Sequence, residues 1–257
     1  MSGKILVTGG TGVLGRRVVD LLHSAGIETR VLSHSAMPHT VHGDLLTGEG
    51  LASAVRGIDT IVHCATSPFR RAREVDVVGT VRLLEAASLT GVSHVIYISI
   101  VGIDKASSYP YYRVKLDAER VVEGSPIPHT ILRATQFYDL VLMALRFLGR
   151  APVMPIPRGF LGQPVDAGEV ADRLVELSGP AGRVPDIGGP EVGTLAGAAR
   201  TYLKVTGLRR RILEVSVPGE ISRAFRDGAL VCPENAYGEI LWEAPGGRTR
   251  ANGCRQP

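Results

Sequence analysis

The chain has 257 residues, of which 44% are hydrophobic and 21% are charged, values close to the averages of globular proteins. This composition excludes wholesale disorder, and a chain of this length buries roughly three quarters of its unfolded surface without a disulfide or metal staple. With 29 basic and 25 acidic residues the formal net charge is +4, which suits an anionic small ligand as well as it suits a nucleic acid.

Strand-like and helix-like segments alternate from the first residues onward. The apolar run 4–8 predicts a strand buried on both faces, and apolar residues recur at helical spacing over 14–25, before Gly26. The alternation continues with predicted strands at 29–32, 60–64 and 94–99 and predicted helices at 51–55 and 79–89. This order predicts an α/β fold, a doubly wound parallel sheet of Rossmann type with right-handed crossovers.

The part of the chain after about residue 136 is less regular. A passage rich in proline and glycine at 152–162 breaks any long element, and helices are predicted at 140–148, 170–177 and 196–205. We therefore expect one domain over 1–244, with a core over about 1–135 and a small substrate-facing lobe over about 136–244. The almost wholly polar residues 245–257 predict a disordered tail. Because segment 140–148 is apolar almost all round, it favours buried core or a subunit contact, so a homo-oligomer is an open expectation.

A glycine-rich turn lies between the first predicted strand and the first predicted helix. Gly9 is predicted to permit a tight turn, Gly12 to let the backbone approach a pyrophosphate, and Gly15 to let helix and strand pack closely. The amino terminus of the helix would then face the negative charge of the pyrophosphate. The alternative is a turn with only a structural role. The predicted dinucleotide contacts of this turn are Gly9, Thr11, Gly12, Val13, Leu14 and Gly15.

The end of the second predicted strand bears on which dinucleotide is bound. An acidic residue here would hold the ribose 2′-hydroxyl of NAD, but the run is Leu32-Ser33-His34-Ser35. NADP is therefore favoured, with Ser33 and His34 beside its 2′-phosphate, and NAD is the alternative. Asp44 would accept a hydrogen bond from the adenine amino group, or else begin a helix. Leu45, Ala65 and Thr66 complete this set of predicted cofactor contacts.

Seven segments together resemble one known superfamily. The chain is similar to short-chain dehydrogenases/reductases, and most similar to the atypical, extended-type proteins related to the NmrA-like branch, over about residues 3–243. The segments are TGGTGVLG at 8–15, GDL at 43–45, VDVVGTVRLLEAA at 75–87, YISIVG at 97–102, YYRVK at 111–115, TILRATQF at 130–137 and IGGPE at 187–191.

The resemblance implies roles for a tyrosine and a lysine. Tyr111 would be the proton donor or acceptor, and Lys115 would bind the nicotinamide ribose. The two residues are four apart on a predicted helix, so their side chains share a face. A nearby ammonium and an oxidised nicotinamide would both lower the phenol pKa from its reference near 10. The alternative is a tyrosine and a lysine on a solvated helix face.

Three further residues bear on this resemblance. Ser99 fits the superfamily's serine, which hydrogen-bonds a substrate oxygen, although the alignment could place Val101 there instead. Asp76 stands where many members have asparagine. Arg133 is predicted to border the nicotinamide pocket, with a structural ion pair as the alternative. The predicted catalytic residues are therefore Tyr111, Lys115 and Ser99.

These residues predict an NADP-linked oxidoreductase that moves hydride between nicotinamide and a small carbonyl, alcohol or enone. A non-catalytic dinucleotide sensor and an NAD-using epimerase or dehydratase are the alternatives. No metal is expected, since the three cysteines lack ligand spacing and His39 and His42 lie in a polar connector. Short arginine runs without aromatic residues predict no nucleic-acid partner. Because no apolar stretch reaches roughly 18 residues, we expect no membrane partner and a cytoplasmic location.

Overall fold

A computed structural model describes residues 3–35, 37–177, 179–242 and 249–250. The chain forms two compact units. The first comprises Met1–Ser99, Pro110–Arg133 and Val170–Pro185, and the second comprises Ile100–Tyr109, Ala134–Glu169 and Asp186–Pro257. Residues 100–109 thus belong to the second unit and 170–185 to the first, and the division of one domain near residue 135 stays a prediction.

The regular elements follow the predicted alternation. The strands are β1 (Ile5–Thr8), β2 (Thr29–Ser33), β3 (Val41–His42), β4 (Thr60–His63), β5 (His94–Ile100), β6 (His129–Ala134), β7 (Val153–Pro157), β8 (Leu161–Gly162), β9 (Gly182–Arg183), β10 (Gly193–Thr194), β11 (Arg211–Val215), β12 (Ile240–Leu241) and β13 (Thr249–Arg250). The helices are α1 (Val13–Ser24), α2 (Leu51–Ala54), α3 (Gly79–Ser88), α4 (Pro110–Glu123), α5 (Tyr138–Leu148), α6 (Ala167–Glu176), α7 (Leu195–Thr206) and α8 (Glu220–Arg226). A π-helical turn at Arg73–Val78 leads into α3.

The first unit is built on a parallel sheet. Among the described residues, seven strands pair in the order β3-β2-β1-β4-β5-β6-β9. β1 pairs in parallel with both β2 and β4, and every residue of β1 and β4 is buried. The strand order runs from β1 to β3 on one side of the sheet and continues from β4 on the other side, so it reverses between β1 and β4. In doubly wound folds, ligands bind at this switch point. The predicted fold class is confirmed.

Within the second unit, α5 departs from an all-buried helix. Leu145 is fully buried, but Leu140, Met143 and Phe147 are 49%, 50% and 67% exposed. Buried core therefore explains only the Leu145 side of α5, and a subunit contact stays a prediction. In the described part of the chain, no helix is both long and apolar enough to cross a membrane.

The proline-rich passage of the second unit contains a short strand. β7 carries Pro155 and Pro157 and pairs in parallel with β11 in a two-stranded sheet. Such a sheet leaves one edge of each strand unpaired, and prolines are tolerated at unpaired edges.

Two other predictions meet the described residues only partly. Asp44 does not begin a helix, because α2 starts at Leu51 after Gly50, whose φ of +75° suits glycine; that alternative is wrong. Of the predicted tail, Thr249–Arg250 pairs antiparallel with Ile240–Leu241, whereas 245–248 and 251–257 lie outside the described residues.

Candidate functional site

The glycine turn after β1 is tightly packed. Gly9 has a φ of +65°, and a Cβ there would lie 2.7 Å from Cα of Ala65 in the loop after β4. A Cβ on Gly15 would lie 2.2 Å from the carbonyl oxygen of Gly9. Side chains are thus excluded at both positions. Gly15, in the first turn of α1, packs closely against the residues that directly follow β1.

The amino terminus of α1 suits an anionic group. Its N-cap is Gly12, and the described residues offer it neither a side-chain cap nor an acidic group in the first turn. A Cβ on Gly12 would meet the Gly9 carbonyl oxygen at 3.2 Å. Thr11, Gly12 and Val13 are exposed, while the side chain of Leu14 is buried. Free N–H groups and the helix dipole at such a terminus bind phosphate, so the turn fits the pyrophosphate of a dinucleotide.

The end of β2 carries hydroxyl and imidazole groups. Ser33 Oγ donates to the carbonyl of Ser35 at 2.8 Å and accepts from the Ser35 amide at 3.2 Å. Nδ1 of the exposed His34 lies 2.9 Å from Ser35 Oγ. The contact of Ser33 and His34 with a 2′-phosphate stays a prediction. Its basis is that the sequence 32–35 contains no carboxylate that would repel the phosphate.

The connector after β3 holds Asp44 and Leu45. Asp44 Oδ1 accepts from the Leu46 amide at 2.8 Å. The Leu45 side chain is buried in the hydrophobic core, where a Cβ on Gly79 would touch it at 2.8 Å. The contact of Asp44 with adenine and the contact of Leu45 with the cofactor remain predictions.

The loop after β4 brings Tyr111 to a buried carboxylate. Thr66 Oγ1 donates to Asp76 Oδ1 at 2.5 Å and lies 2.6 Å from the Tyr111 hydroxyl. Asp76 Oδ2 accepts from the Ser67 amide at 2.9 Å, and Asp76 itself is only 1% exposed. At the start of this loop, the Ala65 amide donates to Thr8 Oγ1 at 3.2 Å. Tyr111, Thr66 and Asp76 thus form one hydrogen-bonded chain.

Lys115 is buried beneath this chain. Its Nζ donates to the Tyr97 hydroxyl at 2.5 Å and to the Ile98 carbonyl at 3.1 Å, and it lies 4.0 Å from Asp76 Oδ1. Burial lowers the pKa of Lys115, against the opposing effect of Asp76, while burial raises the pKa of Tyr97. Tyr97 therefore stays protonated and accepts from the ammonium. Binding of the nicotinamide ribose by Lys115 stays a prediction.

Ser99 lies near the end of β5, two residues after Tyr97 and therefore on the same face of the strand. It is only 3% exposed, and its Oγ has no hydrogen-bond partner among the described residues. A buried hydroxyl without a partner is costly, so a ligand oxygen at this position would satisfy it.

Arg133 forms a buried ion pair. Its Nε donates to Glu119 Oε1 at 2.7 Å and its Nη2 donates to Oε2 at 2.6 Å, a bidentate arrangement. Both side chains are nearly inaccessible to solvent. These contacts agree with the ion-pair alternative, and the contact with a nicotinamide pocket stays a prediction.

Two functional-site candidates were absent from the predicted set, namely Asp76 as a site residue and His63. His63 Nδ1 lies 2.6 Å from Thr8 Oγ1, and its Nε2 lies 2.9 Å from Thr80 Oγ1. Burial, aided by the charge of Lys115, lowers the pKa of His63 to about 3. The available signal was a polar residue within an apolar run, in Ile61-Val62-His63 and in Val75-Asp76-Val77-Val78. No cluster of three metal-ligating side chains occurs in the described ranges.

The sheet order, the glycine turn at the switch point and the uncapped helix define a dinucleotide-binding protein of Rossmann type. Residues 9–141 match the NAD(P)H-binding family. The match covers half of the chain, and the chain belongs to this family. The fold and family support the expected short-chain dehydrogenase/reductase resemblance of the atypical, extended type.

Curated relatives include both enzymes and assembly factors. The photosystem II assembly factor Ycf39 of Trieres chinensis is 25% identical over 260 residues, 93% of this chain and 82% of that protein. The (4-alkanoyl-5-oxo-2,5-dihydrofuran-3-yl)methyl phosphate reductase of Streptomyces griseus is 27% identical, over 83% of this chain and 77% of that protein. A 3-beta-hydroxysteroid dehydrogenase of Mycolicibacterium neoaurum is 32% identical, but the alignment spans 48% of this chain and only 43% of that enzyme.

Solved structures show the same fold. MoeE5 in complex with UDP-glucose and NAD superposes with a TM-score of 0.72 at 22% identity, over 84% of this chain and 86% of that one. The triphenylmethane reductase of Citrobacter sp., complexed with NADP(H), gives a TM-score of 0.71 at 21% identity, over 89% and 92%. At these identities the likeness establishes the fold.

Proposed function

We propose that the chain is an NADP-dependent oxidoreductase that transfers hydride between the nicotinamide and a small carbonyl, alcohol or enone. The observation that carries the proposal is the position of Tyr111. Thr66, in the loop after β4, lies within hydrogen-bond distance of its hydroxyl. Tyr111 itself stands four residues before the buried Lys115. This arrangement occurs in a member of the NAD(P)H-binding family, whose glycine turn fits a dinucleotide.

In this proposal each polar group has a separate task. A bound nicotinamide supplies or accepts the hydride. Tyr111 gives a proton to the substrate oxygen or takes one from it. Ser99 Oγ, for which the described part of the chain offers no hydrogen-bond partner, donates to that oxygen. Lys115 places a positive charge near the phenol and favours its ionised form.

The cofactor in this proposal is NADP rather than NAD. The sequence 32–35 places no carboxylate at the end of β2, so nothing at that point repels a 2′-phosphate. The exposed His34, together with Arg16 on the exposed side of α1, offers donors and positive charge for the phosphate.

The experiment is a titration with NADPH and NADH, followed by a panel of carbonyl, enone and quinone substrates with the tighter cofactor. Tyr111→Phe keeps the ring and removes the hydroxyl, so turnover should fall by roughly 10² to 10⁴ while cofactor affinity is nearly unchanged. Tyr112→Phe, which removes a hydroxyl from the next position of α4, is the matched control and should keep its activity. An activity that survives Tyr111→Phe would refute the proposal.

A second candidate function is a dinucleotide-binding protein without turnover. One observation favours it: Lys115 already donates to Tyr97 and to the Ile98 carbonyl, so a ribose hydroxyl would compete with two hydrogen bonds. The alignment with an assembly factor over 93% of the chain points the same way. Tight NADPH binding without hydride transfer across the panel would support this second candidate.

A further inference from the structure

We propose that Thr66 and Asp76 form a proton relay for Tyr111, with the Asp76 carboxylate as the terminal proton acceptor. The inference deepens the proposed function and rests on it. It starts from two hydrogen bonds that the roles proposed for Tyr111, Lys115 and Ser99 do not explain. An exposed threonine hydroxyl joins the phenol to a carboxylate that is almost fully buried.

The direction of the relay follows from donors and acceptors. The Thr66 hydroxyl has one proton, and at 2.5 Å it donates that proton to Asp76 Oδ1. Its oxygen is then free to accept from the Tyr111 hydroxyl at 2.6 Å. The resting order is therefore Tyr111 O–H to Thr66 O–H to the Asp76 carboxylate. Each hydroxyl passes on its own proton when it receives another.

The proton balance closes in both reaction directions. When an alcohol is oxidised, its O–H bond breaks and the proton goes to Tyr111 Oη. The phenol's own proton then moves to Thr66 Oγ1, and the threonine proton moves to Asp76 Oδ1. The hydride leaves the alcohol carbon for the oxidised nicotinamide that the proposed function requires. Reduction of a carbonyl runs the same transfers backwards, so Asp76 supplies the proton and Tyr111 delivers it.

The backbone around Asp76 keeps its carboxylate in place. Asp76 lies in the π-helical turn Arg73–Val78, and such turns are frequent at functional sites. The Ser67 amide donates to Oδ2 at 2.9 Å, while the Asp76 carbonyl accepts from Thr80 Oγ1 at 2.6 Å. The other carboxylate oxygen, Asp76 Oδ1, accepts the hydrogen bond from Thr66.

The charges around Asp76 make it a usable acceptor. The Lys115 ammonium lies 4.0 Å from Oδ1 and offsets the negative charge. Glu119 is paired with Arg133, and burial keeps both His63 and Tyr97 uncharged near neutral pH. The titratable and charged groups that face this region are Lys115, Tyr97, Tyr111, His63, Cys64, Glu119 and Arg133.

The first test uses the protein without cofactor and measures the Tyr111 pKa. Phenolate absorbance is titrated as a difference against Tyr111→Phe. Thr66 donates to the Asp76 carboxylate and accepts from the phenol, so these two hydrogen bonds stabilise the protonated phenol beyond what the carboxylate charge does through space. Asp76→Asn should therefore lower the Tyr111 pKa by roughly one pH unit. The same change made in a Thr66→Val background should have less than about half this effect, whereas a Thr66→Ser background should preserve it. Equal effects in the valine and serine backgrounds would overturn the relay.

The second test measures turnover in the alcohol-oxidising direction. Thr66→Val should lower kcat by about tenfold or more, with KM little changed, and should alter the pH–rate profile. Thr66→Ser should restore kcat to within about threefold, and Asp76→Asn should behave like Thr66→Val. Wild-type kcat and pH profile in Thr66→Val, alongside an inactive Tyr111→Phe, would overturn the relay and leave the proposed function standing. If instead Tyr111→Phe is fully active, or no substrate turns over, the proposed function fails and the phenol titration alone decides whether Thr66 links Tyr111 to Asp76.

Discussion

Gly15→Ala sets two physical effects of opposite sign against each other. Gly15 is the third residue of α1, and replacing a helical glycine by alanine ordinarily stabilises a protein by roughly 0.5–1 kcal/mol. The added Cβ, however, would lie 2.2 Å from the Gly9 carbonyl oxygen and 2.7 Å from the Gly9 carbonyl carbon. Both atoms belong to the backbone, so no side-chain rotation relieves the overlap.

The overlap should outweigh the helix preference. Forcing an extra carbon into a packed site costs about 1–3 kcal/mol, so we expect a net loss of about 1–2 kcal/mol in the free energy of unfolding. The shift of the turn should also weaken NADPH binding by about tenfold or more. Urea unfolding followed by circular dichroism gives the first quantity, and titration of NADPH fluorescence gives the second.

Gly197→Ala provides the matched control. Gly197 is likewise the third residue of a 12-residue helix, α7, and the nearest neighbour of its added Cβ would be Thr194 Oγ1 at 3.2 Å. Here the helix preference should prevail, with a gain of up to about 1 kcal/mol and unchanged NADPH affinity. If Gly15→Ala unfolds at the same or a higher urea concentration than the wild type, the packing argument for the turn is refuted.

Three further changes test the buried polar groups and the cofactor preference. Glu119→Gln should cost about 3–5 kcal/mol because it leaves the Arg133 guanidinium buried without its charge partner, and the double change Glu119→Leu with Arg133→Met should recover most of this loss in urea unfolding. Because the His63 pKa is about 3 in the folded protein, against 6.5 for the free side chain, the unfolded chain binds the extra proton first as pH falls. At about 1.4 kcal/mol for each pH unit between 6.5 and about 3, His63 should remove about 5 kcal/mol of stability over that window, and His63→Gln should flatten this part of the stability profile. Ser33→Asp should shift the preference from NADPH towards NADH in competitive titrations, and a wild type that already prefers NADH would contradict the assignment of NADP.

Short-range patterns predicted most of the first unit. β1, the glycine turn and α1 follow each other within 20 residues, so apolar spacing and turn residues are sufficient to locate them. Tyr111 and Lys115 are similarly related by one helical turn. The same rules locate a helix start only from local residues. The alternative in which Asp44 begins a helix is wrong because the left-handed Gly50, not an acidic cap, precedes α2.

The polar network required tertiary contacts that no local pattern contains. Thr66 and Tyr111 are 45 residues apart, and Thr8 and His63 are 55 apart. The π-helical turn that presents Asp76 adds a residue to a helical turn, which shifts the faces that a 3.6-residue period would assign. The sequence therefore indicates which residues are unusual, but only the packed sheet shows which of them meet.

The buried charges of the first unit form two opposite pairs, and this makes Tyr111 a better probe of function than Lys115. Arg133 pairs with Glu119, and Lys115 lies 4.0 Å from Asp76, while burial keeps His63 and Tyr97 neutral. Removing the Lys115 ammonium would leave the Asp76 carboxylate buried without a counter-charge, so Lys115→Met should lower stability as well as any turnover. Tyr111 is only half-buried, and Tyr111→Phe changes no formal charge, so the loss of its hydroxyl removes a proton donor and leaves these two ion pairs in place. A selective loss of turnover in Tyr111→Phe would therefore report chemistry, whereas a loss in Lys115→Met would combine chemistry with destabilisation of the fold.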